Sequence, residues 1–170
     1  SETSNALDKL FVRNISKNIE QELIFSDETI YVPGVSLVQR DRDTDEIYLG
    51  YSSPKTPSRV YKYNLSNKSK ILVKEQEIPS GHDPENYIVE RVEFKSHDGR
   101  LVPLTITRHK KTKTDGSANL LLYGYGSYGN SMSPSFSSTR LSLIDRDIIW
   151  ATAHIRGGME KGMKWWKEGK

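Results

Sequence analysis

The glycine- and tyrosine-rich run at positions 124–129 (G-Y-G-S-Y-G) has the spacing that most clearly suggests chemistry. It follows an apolar run at 119–123, which is the pattern of a strand buried on both faces. Glycines let a backbone approach a ligand closely, and the hydroxyls of Tyr125 and Tyr128 can donate hydrogen bonds. Open α/β sheets bind ligands at the carboxyl ends of their strands. The run therefore predicts a ligand-contacting loop, with a tyrosine-rich turn packed on a neighbouring domain as the alternative.

The same run matches two better-known motifs only in part. The G-x-G-x-x-G pattern of dinucleotide-binding folds requires its last glycine to open a helix, but positions 130–136 (N-S-M-S-P-S-F) are typical of a loop. A nucleophile elbow, G-x-S-x-G, would place its serine at Ser127, but Tyr125 stands where its first glycine should be. The sequence therefore does not predict Ser127 as a nucleophile, and a dinucleotide-binding domain is kept as a distant alternative.

Composition excludes several classes of function. The chain contains 25 Lys and Arg against 22 Asp and Glu, and turn residues follow its densest basic run at 108–113, so we expect no nucleic-acid partner. No apolar run approaches the roughly 18 residues of a spanning helix, so we expect no membrane segment. The polar start at Ser1 lacks a signal pattern. The absence of cysteine excludes disulfides, thiolate zinc sites and a cysteine nucleophile, and it fits a cytoplasmic location.

The histidines and the paired carboxylates predict no metal site and no cofactor. Three histidines fall in predicted turns or flanks without the spacing of metal ligands. They are His82, His97 and His109. Two carboxylate pairs lie in a charge-alternating turn, which is typical of a solvated face. They are Asp41/Asp43 and Asp45/Glu46.

The chain contains two segments with different residue patterns. Residues 1–78 predict short strands joined by turns, with the clearest candidates at 47–51, 59–65 and 70–73. Strands at this spacing predict an antiparallel meander, either one blade of a propeller or part of a sandwich. The stretch 79–86 holds two prolines and a glycine among polar residues, which predicts a linker.

Residues 87–170 predict an α/β sheet, because strands, loops and helices alternate along them. Asp98 and Gly99 form the turn of a predicted hairpin. The expected elements are strands at 87–95, 101–107, 119–123 and 147–153, and helices at 139–147 and from about Gly158.

Three motifs carry a family resemblance. They are L-Y-G-Y-G-S-Y-G at 122–129, F-S-S-T-R-L-S-L at 136–143, and A-H-I-R-G-G-M-E-K-G at 153–162. Together they resemble the start of the catalytic domain in the prolyl oligopeptidase family, with details most similar to its oligopeptidase B group. The resemblance implies a seven-bladed β-propeller joined to an α/β-hydrolase domain that cleaves short peptides with a Ser-Asp-His triad and no cofactor.

The resemblance also implies roles for single residues. Tyr125 matches the tyrosine whose hydroxyl helps to form the oxyanion hole, and Tyr128 matches an aromatic residue of the substrate pocket. His154 is of the residue type that serves as a general base, but a triad histidine follows its serine in this fold, so a packed, hydrogen-bonded core histidine is favoured.

The motif R-G-G-G-E of the family is matched by Arg156, Gly157, Gly158 and Glu160, which we expect to form a structural loop. Met159 replaces the third glycine, and it would strain the loop if that position required a positive φ.

The resemblance places all three triad residues beyond the chain, so we expect a fragment that is inactive alone. Its partners would be a short peptide substrate and, as one possibility, a separately encoded C-terminal half. The preference for Lys or Arg in substrates is implied only by overall likeness. The alternative is a non-catalytic β-rich binding or scaffold fragment from a decayed or split gene.

Overall fold

The computed structural model describes residues 2–37 and 43–170. Twelve strands and two α-helices lie in these segments, and a single 3-10 turn lies at Pro84–Asn86. In chain order they are β1 (Glu2–Ser4), β2 (Leu7–Lys9), β3 (Phe11–Asn14), β4 (Ile19–Glu22), β5 (Val32–Leu37), β6 (Glu46–Ser52), β7 (Arg59–Asn64), β8 (Lys70–Glu75), β9 (Tyr87–Lys95), β10 (Leu101–His109), β11 (Asn119–Tyr123), α1 (Ser138–Ile144), β12 (Ile148–Ala153) and α2 (Met163–Lys167).

Strands β5 to β8 form one antiparallel sheet in chain order, as a propeller blade does. Its core packs Leu49, Tyr51 and Tyr63 from the sheet against Phe25 and Leu10 of the preceding segment. The predicted strands at 47–51, 59–65 and 70–73 are confirmed as β6, β7 and β8. The sequence did not indicate β5, because a proline and a glycine interrupt it; a sheet edge tolerates such residues.

The second sheet has the order β9-β10-β12-β11. The first three strands pair antiparallel, whereas β12 and β11 are parallel, so α1 and its preceding loop cross between them. The predicted hairpin is confirmed, with Gly99 at φ 83° in its turn. Helix α1 begins after Ser137, whose side chain accepts a hydrogen bond from the Arg140 N–H, and it buries Leu141 and Ile144. The α/β fold class predicted from the sequence is confirmed.

Two expectations about this sheet were wrong. Strand β11 is not buried on both faces, because it is the edge strand and Leu120 and Leu122 are 55% and 61% exposed. The last helix does not start near Gly158. The chain stays irregular to Gly162, whose φ of 83° does not fit a helix, and α2 begins at Met163.

Asp41, from the first of the two carboxylate pairs, lies outside the described residues, so the expectation that it belongs to a solvated face stays a prediction. In the part of the chain that the structure describes, no helix is long and apolar enough to cross a membrane.

Candidate functional site

The loop after β11 lies directly against the segment that follows β12. A Cβ atom added to Gly126 would stand 2.7 Å from the Arg156 carbonyl oxygen and 2.6 Å from the Ile155 side chain. One added to Gly157, which has φ 93°, would collide with the Gly126 carbonyl. Backbone therefore meets backbone here, and the glycines are required by both conformation and close approach.

Tyr125 and Tyr128 lie on this loop with their side chains exposed, by 44% and 84%. Tyr128 has φ 54°, a left-handed conformation that costs a non-glycine residue about 1–3 kcal/mol and that clusters at functional sites. Two hydrogen bonds hold the turn. The Gly129 N–H donates to the Gly157 carbonyl at 2.8 Å, and the Asn130 N–H donates to the Ser127 carbonyl at 3.0 Å. The fold thus presents two phenol rings to solvent from a fixed backbone.

The dinucleotide-binding alternative requires a helix at the last glycine of the motif. Instead, irregular backbone continues from Gly129 to Ser137, and α1 begins only at Ser138. The structural context of that motif is missing. Within the described residues, no group of three His, Asp or Glu side chains is arranged to hold a metal ion.

Arg156 anchors the segment that follows β12 to the β9–β10 turn. Its guanidinium lies 2.6 Å from the Asp98 carboxylate and 6.0 Å from the centre of the Trp165 ring. A hydrogen bond from the Ser96 hydroxyl, helped by the Arg100 N–H and by Arg156, lowers the pKa of Asp98 to about 2. The carboxylate therefore stays ionised wherever the protein is folded at ordinary pH.

The backbone of Met159 is not in the left-handed region. Met159 is not among the described residues with a positive φ, so this position does not demand glycine for its backbone. Its side chain lies over Gly129, where an added Cβ would approach the Met159 sulfur to 3.2 Å.

His154 is the packed core histidine that the sequence favoured. It is fully buried, and its Nε2 lies 2.8 Å from the Thr105 hydroxyl. That hydroxyl also accepts a hydrogen bond from Arg91 at 2.6 Å. The other ring nitrogen, Nδ1, lies 3.9 Å from Glu160 Oε1 and has no hydrogen-bond partner among the described residues. Burial lowers the pKa of His154, so the ring is neutral.

Glu160 is the residue whose surroundings sequence reasoning missed. Its side chain is 1% exposed, and its Oε1 accepts a hydrogen bond from the Met132 N–H at 2.9 Å. Burial opposes its ionisation, but the neighbouring His154 ring and the Met132 N–H outweigh that effect and lower its pKa. The motif flagged Glu160, but no sequence pattern links it to Met132, Thr105 or Arg91, which lie on distant segments.

Comparison with known proteins finds peptidases that are similar to most or all of this chain. No family model matches the chain. It is 39% identical over its whole length to dipeptidyl aminopeptidase BI of Pseudoxanthomonas mexicana, of which it covers 23%. It is 33% identical over 151 residues to protease 2 of Moraxella lacunata, of which it covers 22%.

Solved structures show the same fold. Oligopeptidase B from Leishmania major superimposes with a TM-score of 0.83 at 31% identity, covering 96% of this chain and 24% of that one. Oligopeptidase B from Trypanosoma brucei with bound antipain gives 0.85 at 30% identity, covering 97% and 24%. The chain therefore spans about a quarter of the length of these relatives. On this similarity, which extends over nearly all of its residues in both sequence and fold, the chain belongs to the prolyl oligopeptidase family of serine peptidases.

Proposed function

We propose that this chain forms part of the catalytic unit of a serine oligopeptidase and supplies one side of its oxyanion hole. The observation that carries the proposal is the exposed Tyr125 side chain at the carboxyl end of β11, on a loop whose backbone is fixed against the 153–157 segment. A donor must be held in place before charge develops on the substrate, and this loop meets that requirement.

Tyr125 would donate its hydroxyl proton in a hydrogen bond to the carbonyl oxygen of the scissile peptide bond as that oxygen becomes negative. The second donor would be the backbone N–H that follows the nucleophilic serine, as in other α/β-hydrolases. Such a donor contributes about 3–4 kcal/mol to stabilising the transition state.

Tyr128 would line the pocket for the substrate residue before the scissile bond. Its ring is exposed and its backbone is held in a left-handed conformation, so its direction is set by the turn. The loop of Arg156, Gly157, Gly158 and Glu160 would act structurally, by supporting the backbone that carries both tyrosines.

The substrates would be short peptides, with cleavage after Lys or Arg as the finer part of the proposal. The relatives have various names, including dipeptidyl aminopeptidase, protease 2 and prolyl endopeptidase. A panel of chromogenic peptides ending in Lys, Arg or Pro, given to the full-length enzyme that contains this chain, tests the preference. Turnover restricted to the Pro peptides would contradict it.

The triad serine, aspartate and histidine would come from polypeptide outside these 170 residues, either continuous with the chain or separately encoded. The exposed Leu120 and Leu122 on edge strand β11 support this, because an apolar edge strand is normally covered by further sheet. By the same proposal, the propeller contains residues 1–78, the linker contains 79–86, and the hydrolase domain begins with 87–170. The enzyme would be located in the cytoplasm.

A segment exchange tests the function. The matching segment of the P. mexicana relative is replaced by this chain, and hydrolysis of the parent's substrate is measured. We expect activity that a serine-reactive phosphonate abolishes, whereas the 170-residue chain alone turns nothing over. A hybrid that folds, as judged by circular dichroism, but is inactive would contradict the proposal.

The alternative, a non-catalytic β-rich binding fragment, predicts a different result. It expects no association when this chain is mixed with a separately produced C-terminal half of the relative. Association with recovery of activity would exclude that alternative, and neither association nor activity would favour it.

A further inference from the structure

A buried carboxylate contacts the loop at 124–132, which carries Tyr125 and Tyr128 and is called the tyrosine loop below. Glu160 is on the irregular segment between β12 and α2, and it is 1% exposed. Its Oε2 lies where a side chain on residue 158 would begin, so a Cβ there would collide with it and Gly158 leaves the space. Burying an ionised group costs free energy unless the group is paired or hydrogen-bonded, so we expect this carboxylate to make a specific contact.

That contact is with the backbone of the tyrosine loop. Glu160 Oε1 accepts the Met132 N–H at 2.9 Å, a charge-assisted hydrogen bond that is stronger than a neutral one. Among the described residues Oε2 has no hydrogen-bond partner, so the bond to Met132 carries the direct hydrogen bonding of the carboxylate.

The turn that carries Tyr128 lies between two such attachments. On one side, the Gly129 N–H donates to the Gly157 carbonyl at 2.8 Å, and on the other side Met132 is held by Glu160. The next attachments are at Ser135, whose carbonyl accepts a hydrogen bond from the Arg140 guanidinium at 3.1 Å, and at Phe136, whose N–H donates to the Ser52 hydroxyl at 3.0 Å. Removing the Glu160 carboxylate would leave the stretch from 130 to 134 without this anchor and would leave the Met132 N–H unpaired.

Glu160 is itself held from three directions. Its main-chain carbonyl accepts the Ala6 N–H at 2.8 Å, from the β1–β2 turn. Its side chain faces the buried His154 ring, which the Thr105 hydroxyl orients. Arg91 bonds that hydroxyl and also donates to the Asn5 carbonyl at 2.9 Å, so a cation complements the carboxylate at the next layer. These contacts tie Glu160 and its surroundings to strands β9 and β10 and to the β1–β2 turn.

We propose that Glu160 is a positioning residue for the peptidase reaction: its carboxylate, hydrogen-bonded to the Met132 N–H, fixes the loop that carries Tyr125 and Tyr128. This rests on the proposed function, because those two tyrosines touch substrate only if the chain acts as a peptidase. Misplacing such a loop by about 1 Å can cost about 10²-fold in rate.

The test uses the hybrid enzyme with Glu160→Ala, Glu160→Gln and, as a control, Glu168→Ala. The partly exposed Glu168 carboxylate forms ion pairs with Arg100 at 3.2 Å and with Lys164 at 3.7 Å. We expect Glu160→Ala to lower kcat/KM by about 10²-fold, with both kcat and KM affected. Glu160→Gln keeps an acceptor oxygen for Met132 and should recover most of the activity, and Glu168→Ala should match the parent.

Hydrogen exchange of the peptide covering residues 126–136, measured on the same variants, separates this proposal from the proposed function. Faster exchange in Glu160→Ala, restored by Glu160→Gln, supports the anchoring role even if the hybrid has no activity. Unchanged exchange in Glu160→Ala overturns it. So does faster exchange in an active hybrid whose kcat and KM stay at the parent values. Loss of activity in the unmutated hybrid counts against the proposed function instead.

Discussion

In the β5–β8 sheet, the side chains of Leu49, Tyr51 and Tyr63 interlock to form a core. In the two loops at 124–132 and 154–160, by contrast, backbone packs on backbone at Gly126 and Gly157. The first arrangement is held by apolar surface, which can be exchanged for similar surface at modest cost. The second has no room for a single added carbon, and it is the arrangement that directs the exposed tyrosines.

The aromatic rings packed on the β5–β8 sheet, called the blade below, can also shift slightly in position, whereas the backbone of the two loops cannot. Phe25 meets Tyr51 edge-on with ring centres 6.2 Å apart, and Tyr31 stacks on Tyr51 at 5.3 Å. Such pairs have broad energy minima, so small shifts cost little. The carbonyl of Gly126 has no such freedom, because it faces the Gly157 Cα directly. The comparison therefore predicts that the smallest substitution will have the largest effect.

Gly157→Ala should be the most damaging change. Its φ of 93° is unfavourable for alanine, and the new methyl would collide with the Gly126 carbonyl, so we expect a loss of about 4 kcal/mol in the free energy of unfolding. Gly116→Ala is the matched control, because Gly116 has φ 89° with nothing within 4 Å, so only the strain of about 1–3 kcal/mol applies. Urea unfolding compares them, and equal losses would contradict the close-packing account.

Leu49→Ala should cost less, although Leu49 is fully buried in the blade core. Removing a buried leucine side chain typically destabilises a protein by about 2–5 kcal/mol, and neighbouring rings can partly fill this space, so we expect about 3 kcal/mol. Ile15→Ala is the control, because Ile15 is 89% exposed and should change nothing measurable. A larger loss for Leu49→Ala than for Gly157→Ala would reverse the comparison.

Acid should weaken the loop region before the blade. The pKa values of His154 and Glu160 both lie below their ordinary 6.5 and 4.5 in the fold, so the unfolded chain binds protons more readily. Their contribution is complete above pH 6.5 and is lost progressively as the pH falls through and below 4.5. Unfolding measured between pH 7 and 4 by tryptophan fluorescence should show this decline, because all three tryptophans lie between positions 150 and 166 and the Trp165 indole N–H donates to the His154 carbonyl at 3.1 Å. A flat profile would contradict it.

Local patterns allowed strands β6, β7 and β8, the β9–β10 hairpin and the α/β class to be predicted, because alternation and turn residues act within a few positions. The exposure of β11 was not predictable in this way, because an apolar run does not say whether another strand will cover it. The contact of Glu160 with Met132 also escaped prediction. It depends on how two loops pack after the sheet forms, and no spacing rule connects them.

The central claim is that Tyr125 stabilises the oxyanion of a peptidase reaction. Its direct test is Tyr125→Phe in the hybrid enzyme, with steady-state kinetics on the parent's substrate. We predict a fall in kcat of about 10²–10³-fold with little change in KM, because the hydroxyl acts mainly in the transition state. Tyr123→Phe is the control, since Tyr123 stacks on Trp150 at 6.1 Å and should keep the parent kcat. A parental kcat in Tyr125→Phe would contradict the account.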